Sequence, residues 1–282
     1  MITRARKDRF NQLLFKWHAD NYRDMPWRRT RDPYRILVSE IMLQQTQVER
    51  VRGKYAEFLK AFPNIESLAS ASLGDVLRVW SGLGYNRRAK YLHACAKEVV
   101  HTYGGKFPKD EIELKKLPGI GLSTTAALMS FAFRGAEPMI DTNIRRILVR
   151  VFFKEMIPSD RELYSFAKTL IEEGKGREWN YAMLDVGATL CTARNHSDKC
   201  PFLKLHGEVG DFVYKKPQTK FTDSRRFYRG KIVRLITKEK RVSRVMIEKE
   251  LGKKIPDIAA ILQDLKKEGL IVLEGRTIAL PL

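Results

Sequence analysis

Long apolar runs are missing from this chain of 282 residues. No stretch of about 18 apolar residues occurs, so a membrane-spanning helix is not expected. Behind Met1-Ile2-Thr3-Arg4-Ala5-Arg6-Lys7-Asp8 there is no apolar segment of the kind that forms a signal peptide. Cysteine is scarce: Cys95, Cys191 and Cys200 are too few for a disulfide framework and fit a reducing interior. Acidic residues are in deficit too, with 33 Asp and Glu against 53 Lys and Arg and a formal charge of +20. Such an excess calls for a polyanionic partner, either nucleic acid or an anionic membrane surface. The length suits one large domain or two ordinary ones. A cytoplasmic, nucleoid-associated protein is the expectation.

Strand-like alternation is also scarce before residue 210. Helical periodicity covers 7–19, 33–47, 51–61, 73–80 and 87–103, then 110–116, 123–134, 142–153, 160–173 and 179–190. The first three quarters therefore read as all-α with short connections. Residues 214–224 lack periodicity and read as a linker. Beyond them, helices are expected over 226–238, 243–251 and from Pro256-Asp257 to Glu268-Gly269. A hairpin of Leu270–Leu273 and Thr277–Leu280 turning at Glu274-Gly275 follows. Three helices and a hairpin are the layout of a small winged helix-turn-helix domain over 225–282. That segment holds 15 Lys and Arg against 7 Asp and Glu, which suits phosphate contact. Its reading helix carries Asp257, Gln263 and Asp264, so backbone contact is expected rather than base reading. A module used only for protein contacts is the alternative.

Three places carry candidate chemistry. Asp32-Pro33 is a helix start, a cap residue followed by proline at the first helical position. At helical period Ile36, Leu37, Ile41 and Gln44 share one face, with Glu40 in its middle. A carboxylate on an apolar face is poorly solvated, so its pKa should rise towards the range of a usable proton donor. The plainer reading, favoured on this helix alone, leaves Glu40 at the stripe's edge, reaching water or pairing with Arg35 or Arg50. Leu117-Pro118-Gly119-Ile120-Gly121-Leu122-Ser123-Thr124 joins two helices by a glycine turn that exposes free N–H groups at a helix start, a fit for phosphate. An ordinary turn is the alternative; Lys115, Lys116 and the global charge favour a DNA-backbone clamp. Asp141 stands at the start of a helix entered through Pro138-Met139-Ile140, where N–H donors should hold it ionised with a lowered pKa. A raised Glu and a lowered Asp form the split needed to break a C–N glycosidic bond.

The order and spacing of Pro26-Trp27-Arg28, Ser39-Glu40-Ile41-Met42-Leu43-Gln44-Gln45-Thr46-Gln47-Val48, Gly82-Leu83-Gly84-Tyr85, Leu117–Thr124, Asp141-Thr142-Asn143 and Asn180–Asp185 resemble the helix-hairpin-helix DNA glycosylases of the endonuclease III superfamily. Within it they are similar to the MutY-type adenine glycosylases, over about residues 8–205. The resemblance implies a two-lobed all-α core over 1–213 that grips double-stranded DNA by the hairpin and flips a mispaired base into the interlobe cleft. One lobe would cover about 25–133, and the other about 1–24 with 134–213. It implies Glu40 as the general acid, Asp141 as the stabiliser of an oxocarbenium-like sugar and Asn143 as an organiser of the site. Gln45 would fill the gap left by the base, next to Gln44, and Tyr85 would wedge beside the opposite purine. Gly119, Gly121, Ser123 and Thr124 would hold the backbone, with Trp27, Arg28, Tyr181 and Asp185 around the base.

Bifunctional relatives carry a lysine where this chain has Ser123, so a monofunctional glycosylase is expected; a monomer is the expected state. The family's [4Fe–4S] cluster needs four cysteines near 191–206; only Cys191 and Cys200 are present, with Ser197 and His206 near the other two places. No cluster and no other cofactor are expected; zinc on Cys191, His196, Cys200 and His206 is an alternative. Tyr181 stands where adenine-cleaving relatives commonly have Gln or Glu, and the short C-terminal module is expected to stand in place of the larger domain that many use to inspect 8-oxoguanine. The function expected is excision of adenine opposite guanine or 8-oxoguanine. The alternatives are a thymine or uracil glycosylase for T·G or U·G mispairs, and a non-catalytic DNA-binding protein.

Overall fold

The computed structural model describes residues 2–153, 157–192, 197–206, 220–252, 255 and 257–282. Helices dominate: α1 (Arg4–Asn21), α2 (Pro33–Leu43), α3 (Val48–Ala61), α4 (Ile65–Ser70), α5 (Leu73–Trp80), α6 (Arg87–Tyr103) and α7 (Glu111–Lys116) come first. After them come α8 (Leu122–Phe131), α9 (Thr142–Phe152), α10 (Asp160–Lys168), α11 (Gly176–Thr189), α12 (Arg225–Glu239), α13 (Arg244–Leu251) and α14 (Ile258–Lys267). A 3-10 turn, Pro26–Arg29, precedes α2. The strands β1 (Arg241–Ser243), β2 (Val272–Glu274) and β3 (Thr277–Ala279) form an antiparallel sheet in the order β1-β3-β2, with Val242 and Leu273 both opposite Ile278. Among the described residues no helix is long and apolar enough to cross a membrane. The expected all-α class holds for the greater part of the chain.

Local chemistry explains where the helices begin and end. Asp32 Oδ1 accepts the Tyr34 N–H at 2.8 Å, with Pro33 opening α2. Asn64 and Ser67 form a reciprocal capping box, as do Ser159 and Glu162. Gly104 closes α6 in the left-handed conformation at φ 59°. Helix α4 and strand β1 lie outside the sequence expectation because six and three residues show no periodicity of their own.

The chain divides into two compact units. The first comprises Met1–Leu37, Lys109–Lys115 and Ile120–Lys216. Its core gathers Phe10 and Leu14 of α1, Ile144, Ile147 and Leu148 of α9, Leu163 of α10, and Trp179, Met183 and Val186 of α11. Phe202 stacks on Phe10 at 4.4 Å between ring centres. Each such buried side chain contributes about 1.5–3 kcal/mol.

The second unit comprises Val38–Pro108, Lys116–Gly119 and Pro217–Leu282. Its buried residues include Val51 and Phe58 of α3, Leu68 of α4, Trp80 of α5 and Leu92 and Val99 of α6, and also Ile232, Ile247, Ile261 and Ile278 from the C-terminal elements. The C-terminal segment is fastened to this unit: the Gly74 N–H bonds to the Pro281 carbonyl at 2.9 Å and Lys90 Nζ to the Glu268 carbonyl at 2.6 Å. A Cβ on Gly74 would meet the Pro281 oxygen at 2.6 Å, so glycine is what permits the approach.

This partition differs from the expected boundaries. Residues 25–37 and 120–133 fall in the first unit, and 225–282 cluster with 38–108 rather than apart. The buried Arg28–Asp185 pair and the bond from Arg177 to the Phe131 carbonyl draw the first two stretches in. Of the expected linker, 214–219 lie outside the described residues.

Candidate functional site

Helix α2 is buried nearly all round rather than along a stripe. Ile36, Leu37, Val38, Ser39, Ile41 and Met42 are buried, and Glu40 among them is 9% exposed. The reading that left Glu40 on a solvated edge does not hold; Arg35 lies against Asp32 at 3.6 Å instead. Gln44, expected on the same face, lies past the helix end and is exposed, as is Gln45.

The end of α2 is finished by a side chain from α6. Arg88 Nη1 donates to the carbonyls of Ile41, Met42 and Gln44 at 2.8, 2.8 and 2.6 Å. Its Nη2 donates to Thr46 Oγ1 at 3.0 Å and to the Leu83 and Gly84 carbonyls at 3.2 Å each. Gln45 (φ 55°) and Tyr85 (φ 47°) lie in the left-handed region, next to Gly82 and Gly84 at φ 97° and 71°. Tyr85 is 44% exposed. Burial lowers the Arg88 pKa to about 10, which leaves it charged at neutral pH. Arg88 escaped the sequence reading, although it lies three residues past the Gly-Leu-Gly-Tyr turn.

In the glycine turn, Gly119 is left-handed (φ 76°), and a Cβ there would sit 2.7 Å from Cβ of Tyr91. Gly121 starts α8 without a side-chain cap, and a Cβ on it would meet nothing within 4 Å. An open, uncapped helix start of this kind can receive an anion. Ser123 is partly exposed, whereas Thr124 is buried and lends packing.

Asp141 is the N-cap of α9, its Oδ1 accepting the N–H groups of Asn143 and Ile144 at 2.8 Å each. The expected lowered pKa is overturned. Burial raises the carboxyl above its ordinary 3.8, against the opposing pull of those two N–H donors, Arg146 and the Asn143 side chain. The helix start supplies donors, but the surrounding protein removes more solvation than they return. Around this cap, Arg146 Nη2 holds Asn143 Oδ1 at 2.6 Å and the Gly187 carbonyl at 3.0 Å, while its Nε reaches the Cys191 carbonyl at 2.7 Å. The segment leading to Asp141 is fixed by Asn180. Its Oδ1 accepts the Met139 N–H at 2.8 Å and its Nδ2 donates to the carbonyls of Glu137 and Gly176 at 2.9 and 2.8 Å.

Trp27, Arg28, Tyr181 and Asp185 are brought together as buried residues of the first unit. Arg28 grips Asp185 with both Nη atoms at 2.7 and 2.8 Å, and the Arg23 N–H adds a third bond at 3.4 Å. Tyr181 stacks on Phe131 at 4.3 Å, with the Arg28 guanidinium 4.4 Å from its ring centre. The same cation touches the carboxylate and the phenol ring, so Arg28, Tyr181 and Asp185 act as one block.

Cys191 and Cys200 belong to the core of the first unit. Arg150 Nη1 donates to Cys191 Sγ at 3.1 Å, and burial pushes the Cys200 thiol up to about 11. Two sulfurs cannot supply the four thiolates that such a cluster requires. His196, one of the four zinc alternatives, lies outside the described residues.

Residues 38–173 match the family described as HhH-GPD superfamily base excision DNA repair protein. The chain is 38% identical to the adenine DNA glycosylase of Mycolicibacterium smegmatis over 68% of its length and 66% of the relative's. To the adenine DNA glycosylase of Homo sapiens it is 37% identical, over 70% of this chain and 38% of that one. The chain thus spans less than two thirds of the length of these relatives. Among solved structures, a thermostable thymine-DNA glycosylase superposes with a TM-score of 0.68 at 31% identity, covering 72% of this chain and 95% of that one. A chain with this helical order, glycine turn and capped aspartate belongs to the HhH-GPD superfamily of base excision DNA repair proteins.

Proposed function

We propose that the chain is a DNA N-glycosylase that hydrolyses the bond between adenine and deoxyribose where adenine is mispaired with guanine or 8-oxoguanine. The observation that carries this reading is Glu40, a carboxyl group buried in α2 directly before the turn bearing Gln44 and Gln45. Glu40 donates the proton that turns the base into a neutral leaving group, and Asp141 supports the positive charge that develops on the sugar. Asn143, held by Arg146, fixes the entry to α9. Gln45 and Tyr85 are exposed on their left-handed turns; Gln45 fills the gap left by the extruded base, with Gln44 alongside, and Tyr85 wedges beside the opposite purine. The uncapped start of α8 takes a backbone phosphate through Gly119, Gly121 and Ser123. The block of Arg28, Tyr181 and Asp185, with the buried Trp27, supports the base pocket. Ser123 offers no amine for a Schiff base, so the product is an abasic site in an unbroken strand. The C-terminal elements α12–α14 and β1–β3 act as a winged helix that adds phosphate contacts, and the chain works without an iron–sulfur cluster. The adenine glycosylases at 37–38% identity support the choice of base.

A second reading, thymine or uracil opposite guanine, is favoured by Tyr181 and by the likeness to a thymine-DNA glycosylase. A single-turnover screen of A·G, A·8-oxoG, T·G and U·G duplexes followed by alkali separates the two. Release of adenine alone is expected; release confined to T·G and U·G overturns the assignment. Iron analysis of the purified protein and borohydride trapping are expected to give neither iron nor a covalent adduct.

A further inference from the structure

Helix α2 ends without a glycine, on Leu43-Gln44-Gln45-Thr46, and the carbonyls of its last turn need donors from elsewhere. The turn before α6 has the same need. One guanidinium answers both, because the six oxygens it serves divide between the two: Ile41, Met42, Gln44 and Thr46 on one side, Leu83 and Gly84 on the other. Arg88 is buried and has no carboxylate partner among the described residues. Its charge is met by carbonyl dipoles, including those of a helix C-terminus, where a cation is favoured. Trp80 and Tyr85 lie beside it, with ring centres 5.3 and 5.4 Å from the guanidinium carbon. Each turn carries one non-glycine residue in the left-handed region, a conformation that is strained for a side chain with a Cβ and persists only where neighbours enforce it. Those two residues are Gln45 and Tyr85.

We propose that Arg88 is a positioning residue for base excision. A single desolvated cation sets the end of the Glu40 helix and holds Gln45 and Tyr85 in one fixed relation, so that they enter the duplex together. The proposal rests on the reading above, in which Gln45 fills the gap left by the extruded base and Tyr85 wedges beside the opposite purine. Lysine cannot substitute, since a point charge with three donors does not span two turns as a planar fork does.

The test uses the full chain and an A·G duplex, with excision followed in single turnover and base extrusion by the fluorescence of 2-aminopurine at the target position. Arg88→Lys is expected to melt cooperatively and to bind the duplex within about threefold of the parent, while extrusion and excision both fall by about 10-fold or more, as misplacement of positioning groups does. In a Gln45→Ala/Tyr85→Ala background the same change is expected to cost less than about twofold, because nothing remains for Arg88 to position. A purely structural arginine would lose the same factor in both backgrounds, and that result overturns the proposal, as does parental extrusion in Arg88→Lys. Should Arg88→Lys fail to fold, Thr46→Val removes one acceptor only; a loss of extrusion confined to the Gln45/Tyr85 parent supports the proposal, and an equal loss in both backgrounds overturns it. If the Gln45→Ala/Tyr85→Ala protein excises as fast as the parent, the insertion reading falls and the Arg88 proposal with it. If that protein is slow yet Arg88→Lys multiplies undiminished, only the Arg88 proposal falls.

Discussion

In the second unit the end of the helix that carries Glu40 is held by the Arg88 guanidinium, which donates to carbonyl and hydroxyl oxygens. In the first, the approach to Asp141 is held by several groups at once: the Asn180 amide, Arg146, and a close pass of α9 over Gly187. The two carboxyl groups also have different surroundings. Asp141 stands at a helix start and is capped by N–H donors, whereas Glu40 lies inside a helix among buried apolar residues. A single clamp can position two loops in concert but has no substitute when lost. A distributed network tolerates the loss of one bond, provided no buried charge is stranded.

That proviso defines the largest expected effect. Asp185→Ala strands the Arg28 guanidinium in the core of the first unit and should cost about 3–5 kcal/mol of stability, read from denaturant unfolding. A loss below about 1 kcal/mol would mean the pair is hydrated and the network weaker than its geometry. Next come the two carboxyls. Glu40→Gln should slow excision by about 10²-fold or more with duplex affinity near the parent's. Asp141→Asn should cost a comparable factor of about 10², yet leave stability at neutral pH undiminished, since asparagine caps a helix as well as aspartate and removes a poorly solvated charge. A marked drop in Tm for Asp141→Asn would show that its N–H bonds outweigh its burial.

Smaller is the effect of Gly187→Ala, whose Cβ would lie 2.5 Å from Cβ of Asn143. It should destabilise by about 1–3 kcal/mol and slow excision through displacement of α9; unchanged activity would separate Asn143 from the chemistry. The smallest effect is a pH dependence. Burial lowers His18 and His93, one in each unit, below the ordinary 6.5. Their neutral rings contribute stability that is present above pH 6.5 and is lost as pH falls from there through their folded values. Asp141 has the opposite sign, its contribution complete below 3.8 and lost as pH rises through its folded value. Tm should therefore fall between pH 7 and pH 5, and the fall should be shallower in His93→Gln, whose amide can still donate to the Ala71 carbonyl.

Much of this was written locally. Asp32-Pro33 announces α2, Asp141 announces α9, and Gly82-Leu83-Gly84 announces a turn, because caps and left-handed glycines act within a few residues. The helices and hairpin after residue 225 follow from periodicity and a Glu-Gly turn for the same reason. What escaped is long-range. Arg88 reaches Ile41 across 47 positions and Arg28 reaches Asp185 across 157, and charged residues read from sequence default to solvent. The Asp141 direction escaped because an N-cap is visible in sequence while the desolvation opposing it is not.

By itself the sequence determined the helical class, the starts of the helices and the pattern of carboxyl, glutamine and glycine residues that places the chain among base excision repair proteins. These depend on neighbours along the backbone. Only the tertiary structure decided that α2 is enclosed on nearly all sides, that the C-terminal segment clusters with residues 38–108, and that one arginine serves both turns bearing Gln45 and Tyr85. Burial and convergence of hydrogen bonds are properties of packed surfaces, and no window of sequence contains them.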